Sequence, residues 1–293
     1  MNLDDKYLRD SGRIILNGPQ ALTRLLIAQK RLDRAAGMNT AGFVSGYRGS
    51  PLGGVDQALW AAGKLLDAHD VRFLPGVNED LAATAVWGSQ QANMREAGAA
   101  SRGRFDGVFA MWYGKGPGVE RSGDAIKHAN VFGTSARGGV LAVAGDDPLC
   151  KSSTAVHQSE FVFQSAMVPV LAPADVQDLL DFGLAGWAMS RASGAWVGVK
   201  VVSDIVESTA TVEVDPGRSR FLVPEGVAAP RDGLHIRWPD IPLAQEERLL
   251  NYKLPMVRAF ARANGLDRLV IDSARPRLTI VTAGKAYQDV RQA

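Results

Sequence analysis

Phe43-Val-Ser-Gly-Tyr-Arg-Gly-Ser-Pro-Leu-Gly-Gly54 is the stretch on which the reading of the fold turns. It reads as a short apolar strand, a glycine-rich turn, and a helix opened by Ser50 and Pro51. Serine is a favoured N-cap and proline a favoured first helical residue. The free N–H groups and positive dipole end of such a helix lie above a sheet edge, where a carboxylate or phosphate can bind. Glycines let the main chain come close to a ligand. Many strand–turn–helix corners look like this and bind nothing, so the rest of the chain must decide.

Strands and helices alternate on both sides of that stretch. Asn17-Gly-Pro19 leads into a helix with Leu22, Leu25, Leu26 and Leu32 on one side, interrupted by Gln29 and closed by Gly37. A strand is expected over 41–46, a helix over 51–68, a short strand over 71–74, and an Ala-rich helix from Glu79 to about Ala97. Further strands read at 107–113, 138–144, 169–172 and 195–202, with an amphipathic helix over 174–190. The pattern predicts an α/β fold, a mostly parallel sheet with helices on both faces. Ligands of such sheets bind beyond the carboxyl ends of the strands. The turns after residues 46, 74, 113 and 144 fall there.

After Pro216 the pattern changes. Residues 217–243 are rich in Pro, Gly, Arg and Asp, and read as an ordered connection because Phe221, Leu222, Val223, Ile236 and Trp238 need burial. A helix follows over 243–264, then a strand and turn over 277–284, then a helix from Ala286 that has barely begun at Ala293. Domains rarely end inside a first βα unit. The expected organisation is therefore a domain over 1–215, a connection with one helix over 216–275, and the truncated start of a second domain over 276–293. The chain reads as the N-terminal part of a longer polypeptide.

Composition narrows the function classes. The 293 residues are 46% hydrophobic, enough for a large core. A formal net charge of +2 and the lack of any basic run give no bias toward nucleic acid. Cys150 is the only cysteine, which excludes an internal disulfide, a CxxC redox pair and an all-cysteine iron–sulfur site. No signal-peptide profile opens the chain and no apolar run reaches membrane-spanning length, so a cytoplasmic location is the expectation.

Three further motifs carry candidate chemistry. In Pro75-Gly-Val-Asn-Glu-Asp80, Asn78 can cap a helix whose first turn holds Glu79. An acidic first-turn residue is ordinary dipole chemistry. This helix is apolar over most of its circumference, however, so Glu79 is expected to be desolvated and able to share a proton with a ligand. Gly114-Lys-Gly-Pro-Gly-Val-Glu-Arg-Ser-Gly-Asp124 reads as a glycine-rich loop carrying Lys115 and Arg121. These are either a clamp for an acidic substrate or solvated surface charge. In Gly145-Asp-Asp-Pro-Leu-Cys-Lys-Ser-Ser-Thr154 the paired carboxylates could bind Mg²⁺ or cap a turn. His157 has no triad partners in sight, and Cys150 reads as a packing residue.

Taken in order, these four motifs resemble the amino-terminal region of bacterial indolepyruvate ferredoxin oxidoreductases, members of the 2-oxoacid:ferredoxin oxidoreductases. The resemblance extends to Trp238-Pro-Asp240 and Tyr252-Lys-Leu254. It implies a thiamine diphosphate-binding fold, with residues 1–215 similar to the pyrimidine-binding domain. It gives Glu79 the role of the catalytic carboxyl that shares a proton with N1′ of the cofactor. It puts Gly49 at the cofactor, Ser50 beside the 2-oxo acid, and Arg121 at the substrate carboxylate. It implies coenzyme A and ferredoxin as partners, a homo-oligomer, and Mg²⁺ and iron–sulfur clusters in parts of the enzyme outside this chain. Asp147-Pro148 departs from the family pattern, in which His tends to follow the Asp pair. The Gly-Asp-Gly…Asn motif for the diphosphate and Mg²⁺ is also missing, since no asparagine lies between Asn130 and Asn251. The competing reading is a non-catalytic α/β binding or assembly module of the same fold.

Overall fold

A computed structural model describes residues 4–94, 103–150 and 155–293. Its centre is a six-stranded parallel sheet. The strands are β2 (Ala41–Gly46), β3 (Val71–Phe73), β4 (Val108–Lys115), β5 (Val140–Asp146), β6 (Val170–Leu171) and β7 (Val197–Val202), in the order β3-β2-β4-β5-β7-β6. Both faces are covered, and the central strands show why. In β4, Phe109, Met111 and Tyr113 enter one apolar cluster while Ala110 and Trp112 enter the other. In β5, Leu141 and Val143 alternate in the same way with Val140, Ala142 and Ala144. Strands apolar at every position bury both faces, as parallel sheets require.

The first face is packed by the helices Gly18–Ala35, Gly54–Ala61, Val176–Ser193 and Leu254–Ala263, the second by Glu79–Ser89, Gly123–Phe132 and Ser159–Ser165. Asn17 and Gln20 close a capping box at the start of the first helix. Gln29, the polar break in its stripe, is buried and donates to Asp33 at 2.7 Å. A two-stranded antiparallel ribbon, β1 (Gly12–Asn17) with β8 (Thr209–Val214), joins the two ends of the first 215 residues. Neither strand stands out in the sequence, because each alternates weakly and borders charged positions.

Several local expectations are corrected. Ser50 and Pro51 do not open a helix; the helix begins at Gly54, with Gly53 before it. Leu52 turns inward and is fully buried, and with Pro51 it fills the space above Gly145, which holds residues 50–52 across the sheet edge. The 51–68 helix is two pieces, Gly54–Ala61 and Gly63–Ala68. The Glu79 helix ends at Ser89, and its expected continuation to Ala97 runs outside the described residues. The 114–124 loop is largely helical, as Gly116–Arg121 followed by Gly123–Phe132. The helix over 243–264 contains a π segment, Leu249–Lys253. In the connection, Phe221 packs on Phe260, but Leu222, Val223 and Trp238 are exposed, so apolarity there does not bring burial. Residues 277–284 form no strand, and Leu278, Ile280 and Val281 are exposed. A strand exists through ladder bonds to a neighbour, and none is adjacent among the described residues. No helix among them is long and apolar enough to cross a membrane.

Candidate functional site

The four motifs meet at the carboxyl edge of the sheet, and glycines make each junction. The chain leaves β2 at Gly46, where a side chain would strike the Tyr113 carbonyl 2.2 Å away. The Tyr47 N–H instead donates to that carbonyl at 3.2 Å, and the Gly76 N–H to the Gly46 carbonyl at 2.8 Å. The turns after β2 and β3 are thereby fixed to one another.

Glu79 opens its helix beyond β3. Asn78 caps the helix by accepting the Leu81 N–H at 2.9 Å. The Trp112 indole, fully buried in β4, donates to the Glu79 carbonyl at 2.9 Å and pins the first turn to the sheet. The Glu79 side chain is 9% exposed. It lies against backbone, because a Cβ on Gly118 would stand 2.5 Å from Glu79 Cγ and 2.8 Å from Oε1. A Cβ on Gly114 would stand 3.4 Å from the same Cγ. Two glycines of the third motif thus make room for the acid of the second. Among the described residues nothing donates a hydrogen bond to its carboxylate. Its oxygens are not among the buried atoms that lack a partner, so the stem is packed against backbone while the carboxylate stays open at the sheet edge, where a ligand can reach it.

The other junctions are as close. A Cβ on Gly49 would meet Lys115 Cδ at 2.9 Å, so the Lys115 stem lies over the Ser50 turn. Gly116 is covered by His157 and stands near Asp146 Oδ1. Asp146 accepts the Ser159 N–H at 3.0 Å and its hydroxyl at 2.5 Å. Burial nevertheless pushes the Asp146 carboxyl above its ordinary range, against those two bonds and the pull of Lys200. Asp146 thus serves as a structural acceptor at a turn. Among the described residues no group of three His, Cys, Asp or Glu converges as metal ligands do, and Lys151–Thr154 lie outside them.

Arg121 is placed at the rim. Its Nε donates to Asp80 at 2.6 Å, and both side chains are substantially exposed. The bond lowers the Asp80 carboxyl and raises the Arg121 guanidinium relative to their ordinary ranges. Of the aromatic residues that could line an aryl pocket, Trp112 and Tyr113 are core. Tyr113 donates to Asp56, and burial followed by that bond raises the phenol above its ordinary range. Trp87 packs edge-on against Phe132, while Trp60 stays about half exposed against Phe73. The sequence reading brought Glu79, Gly49 and Ser50 to one edge, but missed that Gly114 and Gly118 shape the Glu79 pocket. The alternating Gly114-x-Gly116-x-Gly118 spacing was the available signal.

No protein-family profile matches the chain. Two curated proteins do, across essentially its whole length. The indolepyruvate oxidoreductase subunit IorA of Methanothermobacter thermautotrophicus is 24% identical over 285 residues, covering 95% of this chain. That of Methanothermobacter marburgensis is 23% identical over 299 residues, covering all of it. The chain is similar over its length to the indolepyruvate oxidoreductase subunits. It spans 42% of the length of both. The fold agrees: a 2-oxoglutarate:ferredoxin oxidoreductase from Magnetococcus marinus superposes with a TM-score of 0.62 over 96% of this chain and 51% of that one, at 15% identity.

Proposed function

We propose that this chain forms the aminopyrimidine-binding half of a thiamine diphosphate site in a 2-oxoacid:ferredoxin oxidoreductase, with residues 1–215 as the binding domain. The observation that carries the reading is the Glu79 side chain, largely buried, walled by the backbone at Gly114 and Gly118, with its carboxylate open and without a donor among the described residues. These residues fit the aminopyrimidine end of the cofactor, a flat heterocycle with a ring nitrogen able to share a proton. When bound, thiamine diphosphate would supply the nucleophilic carbon and electron sink for decarboxylating a 2-oxo acid.

Glu79 would hold a proton between its carboxyl and N1′, and exclusion of water by Trp112 and the glycine wall would keep that proton shared. Gly49 would let the main chain approach the cofactor, and the Ser50 hydroxyl would face the oxo group. Arg121 would reach a substrate carboxylate only by giving up Asp80. The names of the relatives favour an aryl-2-oxo acid, indolepyruvate, as substrate. Acyl transfer to coenzyme A, ferredoxin reduction, the Mg²⁺–diphosphate contacts and the iron–sulfur clusters are assigned to the rest of a multi-subunit or homo-oligomeric cytoplasmic enzyme. The chain by itself is then inactive, because neither the Gly-Asp-Gly…Asn motif nor cluster cysteines are in it.

The test is reconstitution. The assembled enzyme, stripped of cofactor, is assayed with an aryl-2-oxo acid, coenzyme A and a low-potential electron acceptor. Activity restored by thiamine diphosphate is the expected result. Undiminished activity in its absence, or none in its presence, overturns the reading.

A further inference from the structure

The cations of the carboxyl edge differ in how they are used. Arg121 is paired to Asp80 at 2.6 Å. Lys200 is paired to Glu160 at 2.7 Å and reaches Asp146 at 3.8 Å. His157 donates from Nδ1 to the Ala155 carbonyl at 2.9 Å and faces Glu120 at 3.7 Å. Arg48 is exposed to solvent. Lys115 is unlike all of these. It is half buried, and among the described residues it meets neither an acidic side chain nor a hydrogen-bond acceptor.

Its position is also fixed. Lys115 ends β4, paired in register with Gly145, and its stem runs over Gly49, with Cε 3.5 Å from where a Cβ on that glycine would stand. The preceding residue, Gly114, faces Glu79. Consecutive residues at the end of one strand therefore serve two sides of the edge, Gly114 the carboxyl of Glu79 and Lys115 the turn of Ser50. Glycine at 49 is what allows the lysine stem to lie there, since a side chain would displace it. The stem is covered by the turn while the ammonium has no counter-charge among the described residues, so the charge is held at the Ser50 turn and free to take an anion.

We infer that Lys115 is the cation that binds the carboxylate of the 2-oxo acid, across the turn from Ser50, and so restricts the substrate to acids. The inference rests on the function proposed above. An ammonium on that carboxylate binds the ground state as strongly as anything later, because the carboxylate charge disperses as carbon dioxide leaves. The lysine therefore serves KM more than kcat.

The test uses the assembled enzyme with phenylpyruvate as substrate and its methyl ester as an uncharged competitive inhibitor. Lys115→Gln is expected to raise KM about tenfold to a hundredfold, with kcat within about threefold and the ester Ki unchanged. Lys115→Arg should recover part of the loss, and Arg48→Gln, which removes the same charge from the exposed side of the turn, should cost less than about threefold. An unchanged KM in Lys115→Gln, an equal rise in the ester Ki, or an equal loss in Arg48→Gln overturns the assignment. The inference fails alone when these results accompany normal thiamine-dependent turnover. Loss of thiamine dependence in the unmodified enzyme marks failure of the underlying reading.

Discussion

The charged groups at the two ends of the sheet differ in how completely they are bonded. At the amino end, Asp33 is 1% exposed and fully satisfied. It takes a two-pronged bond from Arg191 at 2.6 and 2.8 Å, with Gln29 and Thr40 completing its set. Lys30 there is fully buried and held by Asp70 at 3.0 Å and by the Thr40 carbonyl. At the carboxyl end Asp146 is closed in the same way by Ser159, but Glu79 and Lys115 have no such partners among the described residues. Burial alone marks neither end as functional. Closed bonding sets make structure, and open ones leave chemistry for a ligand.

The largest effect expected from breaking this contrast is at the amino end. Asp33→Ala strands the Arg191 guanidinium and should cost about 3–5 kcal/mol of stability. Turnover per folded molecule should hold, as read by thermal melting beside active-site titration. A loss of turnover without a lower Tm would erase the distinction between the ends.

Lys253 sharpens the contrast, because it is a fully buried cation whose closing partners are carbonyls. Its ammonium meets those of Asn130 at 3.4 Å and Val131 at 3.1 Å, the last turn of the Gly123–Phe132 helix. Burial lowers its pKa to about 7, with Arg248 and Arg237 adding to the effect. The folded value lies below the unfolded one, so the unfolded chain binds more protons between them and stability rises with pH in that window. Unfolding free energy should climb by roughly 2–3 kcal/mol between pH 6 and 9. Lys253→Met should flatten that slope. A slope unchanged in the variant would show that another group titrates.

Gly118→Ala is the next smaller effect. The new methyl would stand 2.5 Å from Glu79 Cγ, so the carboxyl must move. Turnover should fall about tenfold or more, while the helix propensity of alanine offsets part of the crowding, so that Tm falls much less than in Asp33→Ala. Equal turnover would mean that the glycine wall does not position Glu79. The smallest effect is at the rim, where Arg121→Ala should change kcat/KM by less than about threefold, as exposed ion pairs are worth little. A tenfold loss would return the substrate carboxylate to Arg121.

Much of this was legible in the sequence. β2 was read at its observed bounds, 41–46, because apolar alternation between a glycine turn and a helix leaves few options. Glu79 stood out because its helix is apolar nearly all round. What escaped depends on contacts between distant residues. β1 and β8 pair across almost 200 positions, and only their register makes them strands. The Ser50 turn looked like a helix start because cap and proline signals are local, while buried Leu52 answers to β5. The 277–284 segment has strand chemistry and no strand, since a ladder needs a second chain segment.

The central claim is that Glu79 acts on a ligand while Asp33 acts on the fold. Deuterium exchange at C2 of thiamine diphosphate, measured with Tm in Glu79→Gln and Asp33→Asn of the assembled enzyme, tests it most directly. In Glu79→Gln the exchange rate should fall roughly 10²–10⁴-fold with Tm nearly unchanged, and in Asp33→Asn Tm should drop while exchange per folded molecule persists. Exchange that survives intact in Glu79→Gln, with Tm lowered instead, would make Glu79 a helix-dipole residue and contradict the account.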